Sequence, residues 1–247
     1  MIDEPQILIA GDSAISIVFG NAISEPINQK VRDLFYALSE SNIDGIVEMT
    51  PTYCALLVEY DPLTVKDFSA FSQQIRKVVS ALASSTSAPT FIYEIPTLYT
   101  GMDLLAVANH AGITTEEVVK IHSSAEYRIY MLGFTPGFPY LGGMDGRIET
   151  PRLQTPRALI EAGSVGIAGH QTGIYPVNSP GGWQIIGKTP LKLFDPLREQ
   201  PFLLHAGHAL KFKPIDQAAY DQIVAQIANG IYDYSAVVKE RGVHVNA

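Results

Sequence analysis

The sequence predicts an α+β protein in two parts: an N-terminal ferredoxin-like α/β sandwich over residues 1–95, then a β-rich, closed or sandwich-like domain over residues 96–247. Three observations predict it. Two amphipathic helical stripes are interleaved with short strand-like runs in the first third. The texture changes after Pro96. Beyond Tyr127, short apolar runs alternate with Gly and Pro and show almost no helical periodicity until Ile215.

Taken in order, residues 7–19 are apolar and β-branched around a Gly11-Asp12 turn, the pattern of a hairpin. Ser24 is placed as an N-cap, with Glu25 and Pro26 in the first turn. Ile27, Val31, Leu34, Phe35 and Leu38 then form one apolar stripe. Residues 45–48 and 53–60 read as strands joined by a turn at Thr50-Pro51. A second helix is expected to start near Thr64, with Val65, Phe68, Phe71, Ile75, Val78, Val79 and Leu82 on one face. Residues 84–89 are a small-residue break and 90–95 a further strand, which gives the order of a split βαβ fold.

Two short helices follow, one over residues 103–110 and one capped by Thr114, whose partner Glu117 completes a capping box. Strand-like runs then cover residues 128–132, 165–168, 173–177, 183–186, 191–194 and 209–212, and a last amphipathic helix covers 217–227.

The composition excludes several classes. A hydrophobic fraction of 47% and a charged fraction of 17% describe a folded chain. A formal net charge of −8, with scattered Lys and Arg, is wrong for a nucleic-acid binder. No apolar run suits a membrane span, the N-terminus lacks the pattern of a signal peptide, and the single Cys54 allows no internal disulfide. A cytoplasmic protein is expected.

Chemistry concentrates in two Gly/Pro-rich segments. In residues 133–143, GFTPGFPYLGG, four glycines and two prolines fix an unusual backbone path and display Phe134, Phe138 and Tyr140. These aromatics either plug the end of a barrel or face a groove. In residues 163–183, His170, Gln171 and Thr172 lie between two glycines at a strand end, where side chains and bare N–H groups can meet a polar ligand. His170 is the candidate for proton transfer by position, or else bonds a turn carbonyl. Tyr175 follows, and Asn178, Ser179, Pro180, Gly181 and Gly182 lead into Trp183, the only tryptophan, which either walls a pocket or caps the core.

Residues 182–189 satisfy the P-loop pattern letter for letter. The mechanism needs a flexible loop between a strand and a helix, whereas these positions are bulky and Pro190 follows, so the match is set aside. Lys188 remains as an ordinary basic group. His205 and His208 lie on a Gly-containing turn, which is poor metal geometry, and no metal is expected. No G-x-S-x-G elbow is present. The carboxylates near these segments are Asp145, Glu149 and Glu161, and His122 is placed to point toward the first loop.

YMLGFTPGFPYLGG, TPR at 155–157, AGSVGIAGHQTGIYPVNSPGGW, IGKTPLKLFDP and the late FKPI together resemble the allophanate hydrolase subunit 1 family. GDSAISIVFG, GIVEMTPTYCALLVEYDP and EIP at 94–96 extend the resemblance over nearly the whole chain. That family includes the B subunit of bacterial 5-oxoprolinase and a histidine-kinase inhibitor. The resemblance implies a C-terminal cyclophilin-like β-barrel. It also implies a homologous C-type partner (allophanate hydrolase subunit 2-like) and an A-type partner, with ATP used by the complex to open 5-oxoproline to glutamate. The other activity it implies is inhibition of a sensor histidine kinase.

Residues 99–103 are shorter than the family's usual segment, His170 stands where Arg or Gly is expected, and His208 where Asp is expected. His170 is therefore a lining residue and no catalytic residue is assigned. The groove candidates are Phe138, Tyr140, His170, Gln171, Thr172, Tyr175, Ser179, Gly181, Gly182, Trp183 and Lys188, forming one wall of a groove that a partner protein completes.

Overall fold

The computed structural model describes residues 5–82 and 91–240. The small-residue break at 84–89, the first residue of the strand expected at 90–95 and the first residues of the N-terminus lie outside them. The chain divides into two compact units, Met1–Ala88 and Pro89–Ala247. Among the described residues no helix is long and apolar enough to cross a membrane.

In the first unit β1 (Gln6–Ile9) and β2 (Ala14–Val18) form the expected hairpin, and β3 (Ile46–Pro51) and β4 (Ala55–Tyr60) a second one. The four strands make one antiparallel sheet in the order β1-β2-β4-β3. Helix α1 (Glu25–Glu40) begins where Ser24 Oγ accepts the Ile27 N–H. Helix α2 (Phe68–Ala81) starts at Asp67, later than Thr64, because the Asp67 carboxylate accepts the Ala70 N–H. Residues 61–65 form a turn instead, in which the Asp61 carboxylate accepts from Leu63 and Thr64. The stripes of both helices close on the sheet through Val31, Leu34, Leu38, Phe71 and Ile75, against Ile15, Ile17, Leu56 and Val58.

The next strand, β5 (Phe91–Thr97), belongs to the second unit. It pairs in parallel with β13 (Ala209–Pro214) and antiparallel with β14 (Val238–Glu240), so it does not complete the first sheet. Helices α3 (Leu104–Ala111) and α4 (Thr115–Ser124) follow, the latter with the expected capping box between Thr114 and Glu117. Strands β6 (Tyr127–Leu132) and β7 (Pro139–Gly142) extend the five-stranded sheet β14-β5-β13-β6-β7. A two-stranded sheet joins β8 (Arg157–Ile160) to β11 (Ser179–Gly181). A three-stranded sheet joins β9 (Ser164–Ala168), β10 (Gln171–Ile174) and β12 (Gln184–Lys188) in the order β10-β9-β12. Helix α5 (Gln217–Ala228) lies where periodicity placed it.

A closed barrel is not formed by the pairing of the described strands. The ladders are interrupted by register shifts between Ile129 and Met131, between Ser179 and Gly181, and between Ile185 and Gly187. Residues 191–194 are not a strand either; only Phe194 bridges, to Phe202. One core runs through this unit, with Tyr127, Ile129, Ile167, Ile174, Ile186, Leu210 and Phe212 in it.

The approach of residues 97–103 to β12 is very close. Leu98 and Lys188 exchange backbone hydrogen bonds, and Gly101 N–H donates to Ile186 O. A Cβ on Gly101 would lie 2.3 Å from the Ile185 carbonyl oxygen, which is backbone and has nowhere to go. Gly101→Ala is therefore expected to cost about 1–3 kcal/mol, read as a lower urea midpoint at unchanged m-value.

Candidate functional site

The first glycine-rich segment turns sharply between β6 and β7. The Gly133 N–H donates to the Phe138 carbonyl at 3.0 Å, and Phe134 takes a positive φ of 62°. This tight turn drives Phe138 inward and leaves Phe134 68% exposed. Phe138 meets four rings edge-on: Phe134 and Tyr140 at 5.6 Å, and Tyr175 and Trp183 at 5.5 Å between centroids. With Ile160, Ala168 and Ile185 these rings form a hydrophobic cluster of their own.

The backbone of Trp183 is held by an ion pair that the sequence did not disclose. Asp103 is buried at the N-cap of α3. Its Oδ1 accepts from Arg157 Nη2 at 2.7 Å, and its Oδ2 accepts from the Ile185 N–H at 2.7 Å. Arg157 Nη1 reaches the Trp183 carbonyl at 3.2 Å. Three segments are thereby fixed to one carboxylate, and the indole is set at the head of β12.

These rings line a cavity of about 120 Å3. Of the residues expected from sequence it gathers Phe138, Tyr140, Gln171, Tyr175, Gly181, Gly182 and Trp183. It adds Phe134, Arg152 and Pro180, which sequence reading did not place in the groove. The guanidinium carbon of Arg152 lies 5.9 Å from the centre of the Trp183 ring. Gly181 is required here, since a Cβ would lie 2.3 Å from the Tyr175 hydroxyl. Burial raises the Tyr175 hydroxyl pKa above its ordinary value, so it stays protonated.

The remaining candidates lie elsewhere. The His170 side chain is 85% exposed and its Nδ1 is 2.7 Å from Glu149 Oε2. Ser179 is buried, and its hydroxyl has no hydrogen-bond partner among the described residues. Lys188 sits over the Tyr220 ring at 4.6 Å. The P-loop match is strand β12, as its bulky residues require. Asp145 grips Arg147, and the hydrogen bonds from that residue hold the Asp145 carboxyl down to about 2. His208 Nδ1 accepts the Phe91 N–H at 3.3 Å, and no cluster of three or more His, Cys, Asp or Glu able to hold a metal occurs among the described residues.

Thr172 points into the core, where it meets His122. Thr172 Oγ1 donates to Gly166 O at 3.0 Å, so its oxygen accepts from His122 Nε2–H at 2.8 Å. Nδ1 is then an acceptor, and the Tyr99 hydroxyl donates to it at 2.7 Å. Burial lowers the His122 pKa to about 3, and it pushes the Tyr99 hydroxyl well above the usual range. Neither group changes charge near neutrality, so this network is a rigid neutral strut behind the cavity wall.

Residues 5–204 match the family described as carboxyltransferase domain, subdomain C and D. The chain is 43% identical over 227 residues to the B subunit of the Bacillus subtilis 5-oxoprolinase, covering 87% of this chain and 95% of that one. It is 27% identical to the urea amidolyase of Saccharomyces cerevisiae, over 90% of this chain but 14% of the relative. Among solved structures, TTHA0988 superposes with a TM-score of 0.74 at 35% identity, covering 82% of this chain and 40% of that one. The same module therefore occurs both nearly alone and as a fraction of longer chains.

The buried His122 gives a signed pH effect. Unfolded, the ring titrates near 6.5, whereas folded it titrates near 3, so acidification between these values favours unfolding. The stability gap between the wild type and His122→Gln should narrow on acidification, by up to about 1.4 kcal/mol per pH unit in urea melts. Asp103→Ala is expected to cost about 3 kcal/mol, because it strands Arg157 and the Ile185 N–H. It should also shift Trp183 emission to the red, a spectrum that reports this one indole.

Proposed function

The chain belongs to the family of carboxyltransferase-domain subdomains C and D, and on that premise we propose that it is the B-type component of an ATP-dependent 5-oxoprolinase, acting with a C-type and an A-type component to open 5-oxoproline to glutamate. The observation that carries this is the 43% identity over 95% of the Bacillus subtilis protein of that type. The cavity supports a shared role. It offers aromatic walls, an amide and a guanidinium, but no Asp, Glu, His, Ser or Cys among its described lining. Such a surface binds and orients, and the reacting groups come from the partner proteins. ATP belongs to the assembled complex, and no metal site is assigned to this chain. In this reading the first unit has the ferredoxin-like character suggested by its order of helices and strands, and the second, which takes in β5, has the cyclophilin-like character that the resemblance implies.

Purified chain, C-type and A-type proteins, mixed with ATP and 5-oxoproline, are expected to release glutamate. Omitting any one of the three should abolish release. A complete set of folded components without activity, or full activity with this chain left out, would overturn the proposal.

A further inference from the structure

We infer that Arg152 is the anion-reading residue of the aromatic cavity, which takes the ring of a small cyclic acid and sets its carboxylate on that guanidinium. The inference rests on the 5-oxoprolinase reading for the identity of the acid, a five-membered lactam carrying one carboxylate. The size of the cavity favours such a ligand. At about 120 Å3 it is comparable to the roughly 150 Å3 engineered cavity that accepts one benzene, and a nucleotide is far larger.

The walls fit a ring as well. Phe138 packs edge-on against Trp183 (88°) and Tyr175 (85°), so the cavity wall presents both ring faces and ring edges. Charge is the second constraint. Arg152 is the one ionised side chain in the described lining, and it makes no ion pair among the described residues. Other groups of the unit already have partners: Arg157 pairs with Asp103, Arg147 pairs with Asp145, and the Glu149 carboxylate lies against His170 Nδ1. A guanidinium presents two parallel N–H donors that suit a carboxylate in plane. Held over the Trp183 face, it keeps those donors at the mouth of the cavity. Gln171 adds a primary amide to the same lining, the group suited to a lactam.

The test uses the reconstituted complex with Arg152→Met and Arg152→Lys, and 5-oxoproline alongside its neutral carboxamide. Arg152→Met should raise KM for 5-oxoproline about 10–100-fold, while kcat and KM for ATP stay within about twofold. The lysine variant should recover part of the loss. Discrimination between acid and carboxamide, present in the wild type, should vanish in Arg152→Met. Unchanged KM for 5-oxoproline would overturn the inference, as would a parallel loss in kcat and KM for ATP, which signals assembly instead. A wild-type complex without activity sinks the functional reading separately. The inference is then decided on the full chain alone by Trp183 fluorescence titrated with a panel of small cyclic carboxylic acids, 5-oxoproline among them: a saturable change lost in Arg152→Met supports it, and no change with any of them overturns it.

Discussion

The carboxylate of Asp103 is the constraint on which the site depends. Its two oxygens are spent on different segments, Arg157 of β8 and the Ile185 N–H of β12, and its own N–H donates to Ile185 O. Such a group is costly to desolvate and is tolerable only because each oxygen is matched. The match in turn fixes geometry. Arg157 continues to the Trp183 carbonyl, so the indole is placed by a chain of charged bonds rather than by packing alone. Phe138 and Tyr175 then close on the indole edge-on. Loosen the carboxylate and the cavity loses one of its walls. The bare backbone of Gly101 belongs to the same device, since only glycine lets residues 97–103 lie against β12 closely enough for the carboxylate to reach.

The cavity thus has a stiff interior and an exposed rim. Behind it, the hydrogen bonds of Tyr99, His122, Thr172 and Gly166 brace β9 and β10 without any group that titrates near neutrality. A network satisfied at every member adds rigidity where a partly satisfied one would invite alternatives. At the rim, Phe134 is exposed and Arg152 stands in water. A ligand therefore meets a preformed cavity and settles against side chains that can adjust, an order that keeps the entropic cost of binding low.

The sequence made the site legible where chemistry is local. Gly/Pro density marked both segments, and Gly181-Gly182-Trp183 and Phe138 do line the cavity. Local spacing also set α1, α4 and α5. It failed where strand alternation or distance decides. Gln171 and Thr172 are adjacent on β10, so one lines the cavity while the other enters the core. The position of His122 suggests a side chain aimed at the first loop, yet its ring partners, Tyr99 and Thr172, lie 23 and 50 residues away. Asp103 is 54 positions from Arg157 and 82 from Ile185, and no local pattern signals either bond. The strand β5 follows two helices of the first unit in sequence, but its pairing partner is β13, more than a hundred residues on. Only the tertiary ladder assigns it.

The letter-perfect P-loop motif and the unremarked Arg152 make the same point from opposite sides. Residues 182–189 carry every letter of the phosphate-binding pattern, yet β12 is paired with β9, the Ile185 N–H goes to Asp103, the Lys188 N–H to Leu98 O and the Thr189 N–H to Gly163 O, and the Lys188 side chain rests on Tyr220. The letters are present and the free donors are not. Arg152 belongs to no pattern and sits on an exposed stretch, where a lone arginine ordinarily signifies nothing. What singles it out is the environment: an aromatic cavity of ring size beneath it and other groups of the unit already partnered. Selectivity in a cavity with apolar walls comes from the few polar groups at its edge, because dispersion contacts barely distinguish one small ring from another. On this surface the burden falls on a single guanidinium.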